Sequence, residues 1–300
     1  FVAGNKLSKK ETDTEVAAIN KILGSTYKKH EVKVPAKLDD ALWARRIYLK
    51  AAGRIPTHDE ITSFLADTSS EKKRLLIDRL IKSSAYKSQM FNWWADLLRL
   101  QSRMRGGNQI GAGQLYVHWV KEQIEKNIPF DQMAYNLVTA EGYPWDNGAV
   151  GYYLRDAGMP LDNMSNTTQV FLGTQMVCAQ CHNHPFDRWT QMEYYQMASY
   201  TYGITSSRGG DIQSKIRKHF EQKNKNLSYK DRKKKTQSKE AAALRRSLQE
   251  MLRPLRYGAT HTERKLNLPH DYQYDDAKPK SPVTASPIFE NELKTEKGES

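Results

Sequence analysis

The sequence predicts a mainly α-helical protein. Apolar residues recur three or four positions apart over most of the chain up to residue 202, whereas the alternating pattern of strands is almost absent. Capping signals, such as the box formed by Thr57 and Glu60, mark where helices begin. A chain of 300 residues is long enough for one large domain or two ordinary ones, each with its own core.

Eight helices are predicted between residues 34 and 205 from apolar periodicity. They cover residues 39–53, 57–65, 75–81, 88–100, 115–127, 129–139, 168–181 and 189–202. Asp39 or Asp40 can cap the first helix, and Gly53 suits the position just past its end. A glycine-rich loop is expected at 106–113. Residues 141–167 contain several glycines and prolines with little periodicity, and we predict an ordered loop or binding loop there.

The remaining chain divides into three further segments. Residues 1–33 are polar and form an approach segment with one short helix around Val16–Leu23. Residues 206–256 form a basic helical insertion into the helical core of 34–205. Residues 257–300 form an irregular C-terminal tail, which we expect to pack on the core and to link it to a following domain.

Both cysteines of the chain lie in one motif, Cys178-Ala-Gln-Cys181-His182. This spacing is the attachment signature of a c-type haem. Two intervening residues place both thiols on one side of a helical turn, where each can form a thioether with a porphyrin vinyl group. The histidine that follows is carried beneath the ring, where a neutral imidazole can coordinate iron. The motif therefore predicts one covalent haem held by Cys178 and Cys181, with His182 as the proximal iron ligand.

Two other interpretations use the same thiols. A redox-active dithiol normally sits in a strand–helix–strand unit, which this chain does not offer. A structural zinc ion could be bound by the two cysteines with His182 and His184. Tetrahedral zinc sites, however, usually draw their second pair of ligands from a separate element, because one short turn rarely wraps four positions. Haem c is the predicted cofactor, and zinc remains the alternative.

The residues after the motif can support a haem ring. His184 or Asp187 can hydrogen-bond the proximal imidazole or a propionate, Arg188 can offset propionate charge, and Trp189 can form a wall of the ring site. The simpler interpretation is that Pro185 and Phe186 end one helix while Asp187 and Arg188 begin the next.

A sixth iron ligand must come from elsewhere in the chain, because Met176 and His184 lie too close to the proximal turn to reach around a porphyrin. The candidates are His118, His261, His270, Met192 and Met197. A histidine would give a lower reduction potential than a methionine, and an open position would favour ligand binding or catalysis.

The formal net charge of +13 belongs mostly to one segment. Residues 213–256 contain 15 Lys or Arg against 4 Asp or Glu, a net of +11, so the rest of the chain carries only +2. Few aromatic residues are interleaved and no nucleic-acid motif is present, so a solvated helical face is favoured over nucleic-acid binding. An anionic surface stays a candidate partner of this segment.

The sequence contains no recognisable signal of a transmembrane protein or of a known class of enzyme. No run of 18 apolar residues is present, so no transmembrane segment is predicted. No phosphate-binding loop, nucleophile elbow or catalytic triad is recognisable, so no class of enzyme is predicted. Covalent haem attachment takes place outside the cytoplasm in bacteria. We therefore expect a periplasmic or cell-surface protein, exported by a signal that precedes Phe1.

The run from Val170 to Gln191 resembles the planctomycete-type cytochrome c domains, which occur in large exported proteins of planctomycetes and their relatives. Further segments that resemble this family are Leu38–Leu49, Gly53–Thr57, Ile128–Gln132 and Leu268–Pro279. The resemblance extends over roughly residues 34–290, apart from the basic insertion. It implies an exported, haem-carrying module whose biochemical role is unassigned. Because His270 lies in one of these segments, the resemblance also favours His270 as the distal ligand.

These observations predict an extracytoplasmic domain that carries one haem and transfers electrons to a neighbouring domain of the same polypeptide or to a redox partner. Two alternatives stay open. One is a non-redox scaffold or binding module with structural zinc at the cluster of residues 178–184. The other is an enzyme in which haem or another metal keeps an open coordination position and residues 141–167 line a substrate pocket.

Overall fold

The structure is a computed structural model. It describes residues 8–34, 36–102, 104, 110–207 and 257–289, and short pieces between 218 and 251. Over these residues the protein is mainly helical, which confirms the predicted fold class. The chain forms two compact units, Phe1–Met90 and Phe91–Ser300, here called the N-terminal and C-terminal units. No helix among the described residues is long and apolar enough to cross a membrane.

The N-terminal unit is built from helices whose caps are visible in the sequence. They are α1 (Lys9–Lys29), α2 (Asp40–Ala52), α3 (His58–Ala66), α4 (Lys72–Ile81) and the first part of α5 (Ser84–Leu97). Asp39 caps α2 by accepting a hydrogen bond from the amide of Leu42, and Gly53 ends α2 with a φ of +67°. The capping box of Thr57 and Glu60 begins α3 as predicted.

Helices α2, α3 and α4 enclose the core of the N-terminal unit. Its buried side chains are Ala44, Tyr48, Ala52, Phe64, Leu76 and Leu80. Helices α2 and α4 each contribute buried residues four positions apart, so each presents one apolar stripe, and α3 contributes Phe64. Helix α1 has no buried residue among those whose burial is described, and it is longer than the short helix predicted near residues 16–23.

Apart from the short helical pieces between 218 and 251, the described residues of the C-terminal unit form the rest of α5, five more helices and one pair of strands. They are α6 (Ile110–Glu125), α7 (Phe130–Val138), α8 (Gly151–Leu154), α9 (Pro160–Phe171), α10 (Gln191–Tyr202), β1 (Ile204–Ser207) and β2 (Tyr257–His261). Two 3₁₀ turns, Gly148–Val150 and Val177–Gln180, complete the set. The strands are antiparallel, with Ile204 opposite His261 and Ser207 opposite Tyr257.

Two of the sequence predictions in this unit are wrong. Residues 141–167 are not one loop, because α8 and the start of α9 lie within them. A continuous helix over 168–181 is also wrong, since α9 ends at Phe171 and Gly173 takes a φ of +63°. Gly151 is the first residue of α8. A larger residue at this position would collide with Tyr116, so this glycine marks close packing rather than a turn.

The strand pair was not predicted, and most of the basic insertion lies outside the described residues. Strands β1 and β2 have four and five residues and are separated by the insertion, so neither makes a recognisable alternating pattern by itself. The helical content predicted for residues 206–256 can be followed only in short pieces, such as residues 242–244.

The core of the C-terminal unit includes a cluster that joins α9, α10 and the C-terminal segment. Its buried members are Met164, Met176, Ala179, Trp189, Tyr194, Tyr195, Ala198, Leu266, Leu268, Tyr272 and Ile288. Residues 257–289 therefore supply part of the hydrophobic core around residues 176–189. Burial of this size is the main stabilising term for the region.

A buried carboxylate, that of Asp156, links three helices of the C-terminal unit. Its oxygens accept hydrogen bonds from the guanidinium of Arg99 at 3.0 and 3.1 Å and from that of Arg155 at 2.6 and 3.0 Å. The side-chain amide of Asn163 in α9 donates a further hydrogen bond at 3.1 Å. Arg155 also donates to the carbonyl of Leu98, just past α5. The ends of α5 and α8 and the start of α9 therefore meet at one carboxylate.

We predict that Gly151→Ala destabilises the protein by about 1–3 kcal/mol, because the new methyl group would overlap the side chain of Tyr116 in a packed core. Thermal unfolding followed by circular dichroism measures the effect. Gly24→Ala in α1 is the matched control. An added Cβ meets no atom within 4 Å there, so alanine should raise stability through its higher helix propensity. Equal behaviour of the two variants would contradict the packing seen at Gly151.

A second prediction concerns the pH dependence of the N-terminal unit. The guanidinium of Arg54, 2.7 Å from the carboxylate of Glu60, lowers the pKa of Glu60 to about 2 from its ordinary 4.5. The pair therefore stabilises the folded state above pH 4.5, and this contribution is lost as the pH falls from 4.5 towards 2. Solvent screens the pair, so we expect about 1 kcal/mol at most.

The variant Glu60→Gln separates charge from capping, because glutamine can still complete the capping box with Thr57. Urea unfolding at pH 7 should show Glu60→Gln to be less stable than the wild type, and the two should converge near pH 2. Asp59→Asn removes a neighbouring carboxylate and serves as the control, for which no such convergence is expected. A stability difference that persists unchanged at pH 2 would contradict the role of the ion pair.

Candidate functional site

The Cys-Ala-Gln-Cys-His motif forms one exposed turn of the C-terminal unit. Residues Val177–Gln180 are a 3₁₀ turn, and the amide of Cys181 donates to the carbonyl of Cys178 at 3.4 Å. The side chains of Cys178, Cys181 and His182 are all exposed, and no disulfide joins the two thiols. Ala179 is fully buried in the hydrophobic cluster, so its side chain attaches the turn to the core.

The ring of His182 is oriented by a hydrogen bond to the backbone. Its Nδ1 lies 2.7 Å from the carbonyl oxygen of Asn183. A carbonyl can only accept, so the neutral ring carries its proton on Nδ1. Nε2 then keeps the lone pair, which is the arrangement of a histidine whose outer nitrogen binds a metal.

The start of α10 is hydrogen-bonded to Gln180, inside the motif, and to Asn183, just past its end. Gln191 is buried, and its side-chain amide donates to the carbonyl of Gln180 at 3.0 Å. The backbone amide of Gln191 donates to Oδ1 of Asn183 at 2.8 Å. The capping box of Thr190 and Glu193 fixes where α10 begins, and so fixes where Gln191 stands.

Tyr194, one turn further along α10, ties the motif to α9. Its hydroxyl lies 2.9 Å from the hydroxyl of Ser165 and 3.3 Å from Oε1 of Gln180. Burial raises the pKa of Tyr194, so its hydroxyl stays protonated and remains able to donate. The sequence analysis missed Gln191 and Tyr194. Both residues lie in the first turn of the helix that the capping box of Thr190 and Glu193 begins, and this box is recognisable in the sequence.

The C-terminal segment covers the motif from another side. The hydroxyl of Tyr274 accepts a hydrogen bond from the amide of Asn183 at 2.7 Å, 91 residues away in sequence. His270, the candidate distal ligand, lies in the same segment, with its side chain exposed and 3.9 Å from the carboxylate of Asp271. Burial raises the pKa of Tyr195, and the nearby Cys181 and Asp271 raise it further.

The other candidate distal ligands have different surroundings. His118 on α6 and His261 at the end of β2 are exposed. Met192 and Met197 are half-buried on α10 and pack against the hydrophobic cluster that includes Ala179. Met192 and Met197 thus pack against the same cluster as Ala179 of the motif, and His270 lies in the segment whose Tyr274 contacts Asn183.

Residues 184–189 close into a short loop beside the motif. The amide of His184 donates to the carbonyl of Trp189 at 2.8 Å, and Nδ1 of His184 accepts from the amide of Phe186 at 3.3 Å. The guanidinium of Arg188 stacks 4.6 Å above the ring of Trp189, which is buried. Nε1 of Trp189 is buried and has no hydrogen-bond partner among the described residues, whereas Phe186 is 95% exposed.

The four predicted zinc donors are not gathered around one point. Among the described residues, no group of three or more His, Cys, Asp or Glu side chains is arranged to hold a metal ion. Nδ1 of His184 already accepts a backbone hydrogen bond, and Nδ1 of His182 donates one.

Comparison with known proteins identifies a family and nothing closer. No curated protein and no solved structure matches the chain. One family, described as PSCyt2, protein of unknown function (DUF1549), matches residues 18–205, which is more than half of the chain and includes the motif. The chain therefore belongs to the PSCyt2 family, a planctomycete-associated domain family of unknown function.

Proposed function

We propose that the C-terminal unit carries one haem c, attached through Cys178 and Cys181 with His182 as the proximal ligand. The observation that carries this proposal is the form of the motif. The exposed thiol of Cys178 lies in a 3₁₀ turn, and that of Cys181 lies just past its end. The histidine beside them has its Nδ1 bonded to a carbonyl, which leaves Nε2 for iron.

The surroundings of the turn fit a haem. The turn itself is held by Gln191, so the positions of the two thiols do not depend on flexible loops. The buried N–H of Trp189 has no partner in the described part of the chain, and Arg188 lies over the same indole, so both can serve propionate groups. Phe186 supplies apolar surface that the protein itself leaves exposed.

When bound, haem would supply a one-electron iron couple, whose potential depends on the axial ligand and on burial. The protein contributes attachment, a fixed imidazole and the polar groups for the propionates. We propose electron transfer with a neighbouring domain of the same polypeptide or with a separate redox partner. We also propose an extracytoplasmic location, the periplasm or the cell surface, because covalent haem attachment takes place outside the cytoplasm in bacteria.

The first test is the mass of the intact protein, produced together with the haem-attachment machinery and measured after denaturation. We expect the wild type to gain the mass of one haem and the double variant Cys178→Ala/Cys181→Ala to gain none, because both thioethers would be absent. Ser199→Ala on α10 is the control and should retain the full gain. A bare polypeptide mass for the wild type would refute the proposal, and an equimolar zinc content would support a structural metal instead.

The visible spectrum tests the two axial positions. His182→Ala should abolish the low-spin spectrum, because Nε2 of His182 is the proposed proximal donor. We propose His270 as the distal ligand, so His270→Ala should shift the spectrum towards high spin, while His118→Ala and His261→Ala should not. An unchanged spectrum of His270→Ala together with a changed one for Met192→Ala or Met197→Ala would assign the distal position to a methionine. Binding of carbon monoxide by the wild type would indicate an open position.

A further inference from the structure

A second site candidate lies in the C-terminal unit, apart from the thiols. A cleft of about 630 Å³ opens where the first turn of α9, the end of α10 and the start of β1 come together. This volume lies in the range of small-molecule sites in proteins. Gln180 lines the cleft, but Cys178, Cys181 and His182 do not. The cleft therefore adjoins the cysteine motif at Gln180 but is not lined by the thiols or by the proposed proximal imidazole.

Two opposite charges line the cleft, and neither has a hydrogen-bond or ion-pair partner among the residues that the structure describes. Asp162, the third residue of α9, is half-buried, and no hydrogen bond or ion pair to its carboxylate is found in the described part of the chain. The guanidinium of Arg264 stacks 4.6 Å above the ring of Tyr202, and it too makes no ion pair or hydrogen bond there. Stacking fixes the plane of the guanidinium and leaves its N–H groups available for a carboxylate.

The start of α9 adds donors of the right kind for an anion. Pro160 is the first residue of the helix and has no N–H, and Met159 provides no side-chain cap. The first helical hydrogen bond at this end is donated by the amide of Asn163 to the carbonyl of Met159. The amides of Leu161 and Asp162 are therefore unused by the helix, at the end where its dipole is positive.

Two residues that line the cleft each carry a buried polar atom without a hydrogen-bond partner in the described part of the chain. Nδ2 of Asn163 donates to the carbonyl of Tyr152 at 3.0 Å and to the carboxylate of Asp156 at 3.1 Å. Both partners are acceptors, so the orientation of this amide is fixed and its Oδ1 must be the atom without a partner. Oγ1 of Thr201, which also lines the cleft, lacks one too. Unpaired buried polar atoms cost about 1–3 kcal/mol each.

We propose that this cleft binds a small zwitterion, an amino acid or a short peptide. Its carboxylate would pair with Arg264 and the free amides of α9, and its ammonium group would pair with Asp162. The charges of the cleft select this class, because a neutral ligand would leave both a carboxylate and a guanidinium unmatched. The proposal goes beyond electron transfer and does not depend on haem.

Isothermal titration of the full chain with the 20 amino acids and with diglycine tests the proposal. At least one probe should bind, and Asp162→Asn and Arg264→Gln should each weaken its binding at least tenfold. Asp131→Asn, which removes a carboxylate from the first turn of α7 outside the cleft, is the matched control and should bind as the wild type does. Within the described residues neither Asp162 nor Arg264 has a hydrogen-bond or ion-pair partner to lose. All three variants should therefore stay folded at the temperature of the titration, and Arg264→Gln should lose only its stacking on Tyr202.

The methyl ester of the best probe lacks the carboxylate charge and keeps the ammonium group. It therefore tests the pairing with Arg264 separately from the pairing with Asp162. The wild type should bind the ester at least tenfold more weakly than the acid, whereas Arg264→Gln should not distinguish them. The double variant Cys178→Ala/Cys181→Ala should bind the acid normally, which keeps this result separate from haem attachment. Absence of binding by every probe would overturn the proposal. Binding of a neutral sugar that is insensitive to both Asp162→Asn and Arg264→Gln would also overturn it.

Discussion

The carboxylate of Asp156 is the constraint on which the C-terminal unit depends. Two guanidinium groups and one amide converge on it, and Arg155 also reaches the carbonyl of Leu98. Removing one partner of a buried ion pair of this kind costs about 3–5 kcal/mol, because it leaves an uncompensated charge. The direction in which α9 runs from Asp156 is therefore fixed by these hydrogen bonds.

The effect of that constraint reaches the cysteine motif through a series of buried hydrogen bonds. Asn163 binds Asp156, and two residues further along α9 the hydroxyl of Ser165 meets that of Tyr194. Tyr194 and Gln191, both on α10, bond to the side chain and the carbonyl of Gln180. The thiols are exposed, yet the backbone that carries them is fixed by buried groups on two helices.

Local features were predictable from the sequence, and long-range ones were not. Asp39, Gly53 and Thr57 act through their own backbone neighbours, so the helix ends that they define could be recognised at once. The role of Gly151 depends on Tyr116, 35 positions earlier, and so its segment was mistaken for a loop. The strand pair also depends on residues far apart in sequence.

The same division applies to the site. The spacing of Cys178, Cys181 and His182 is local and points to one kind of chemistry. The groups that hold them are recognisable only in three dimensions, because Tyr274 reaches Asn183 across 91 positions. Asp162 and Arg264 are about 100 positions apart in sequence. They can be recognised as candidate ligand-binding residues only because both line one cleft.

The pairing of Ser207 with Tyr257 has a consequence for how this protein can change over evolution. Residues 208–256 connect two neighbouring strands, so this segment begins and ends at almost the same point. Doubling the length of such a loop costs only about 0.6 kcal/mol of closure entropy. This junction can therefore accept a longer segment, a shorter one or an entire inserted module, while the folding of the rest of the chain is preserved.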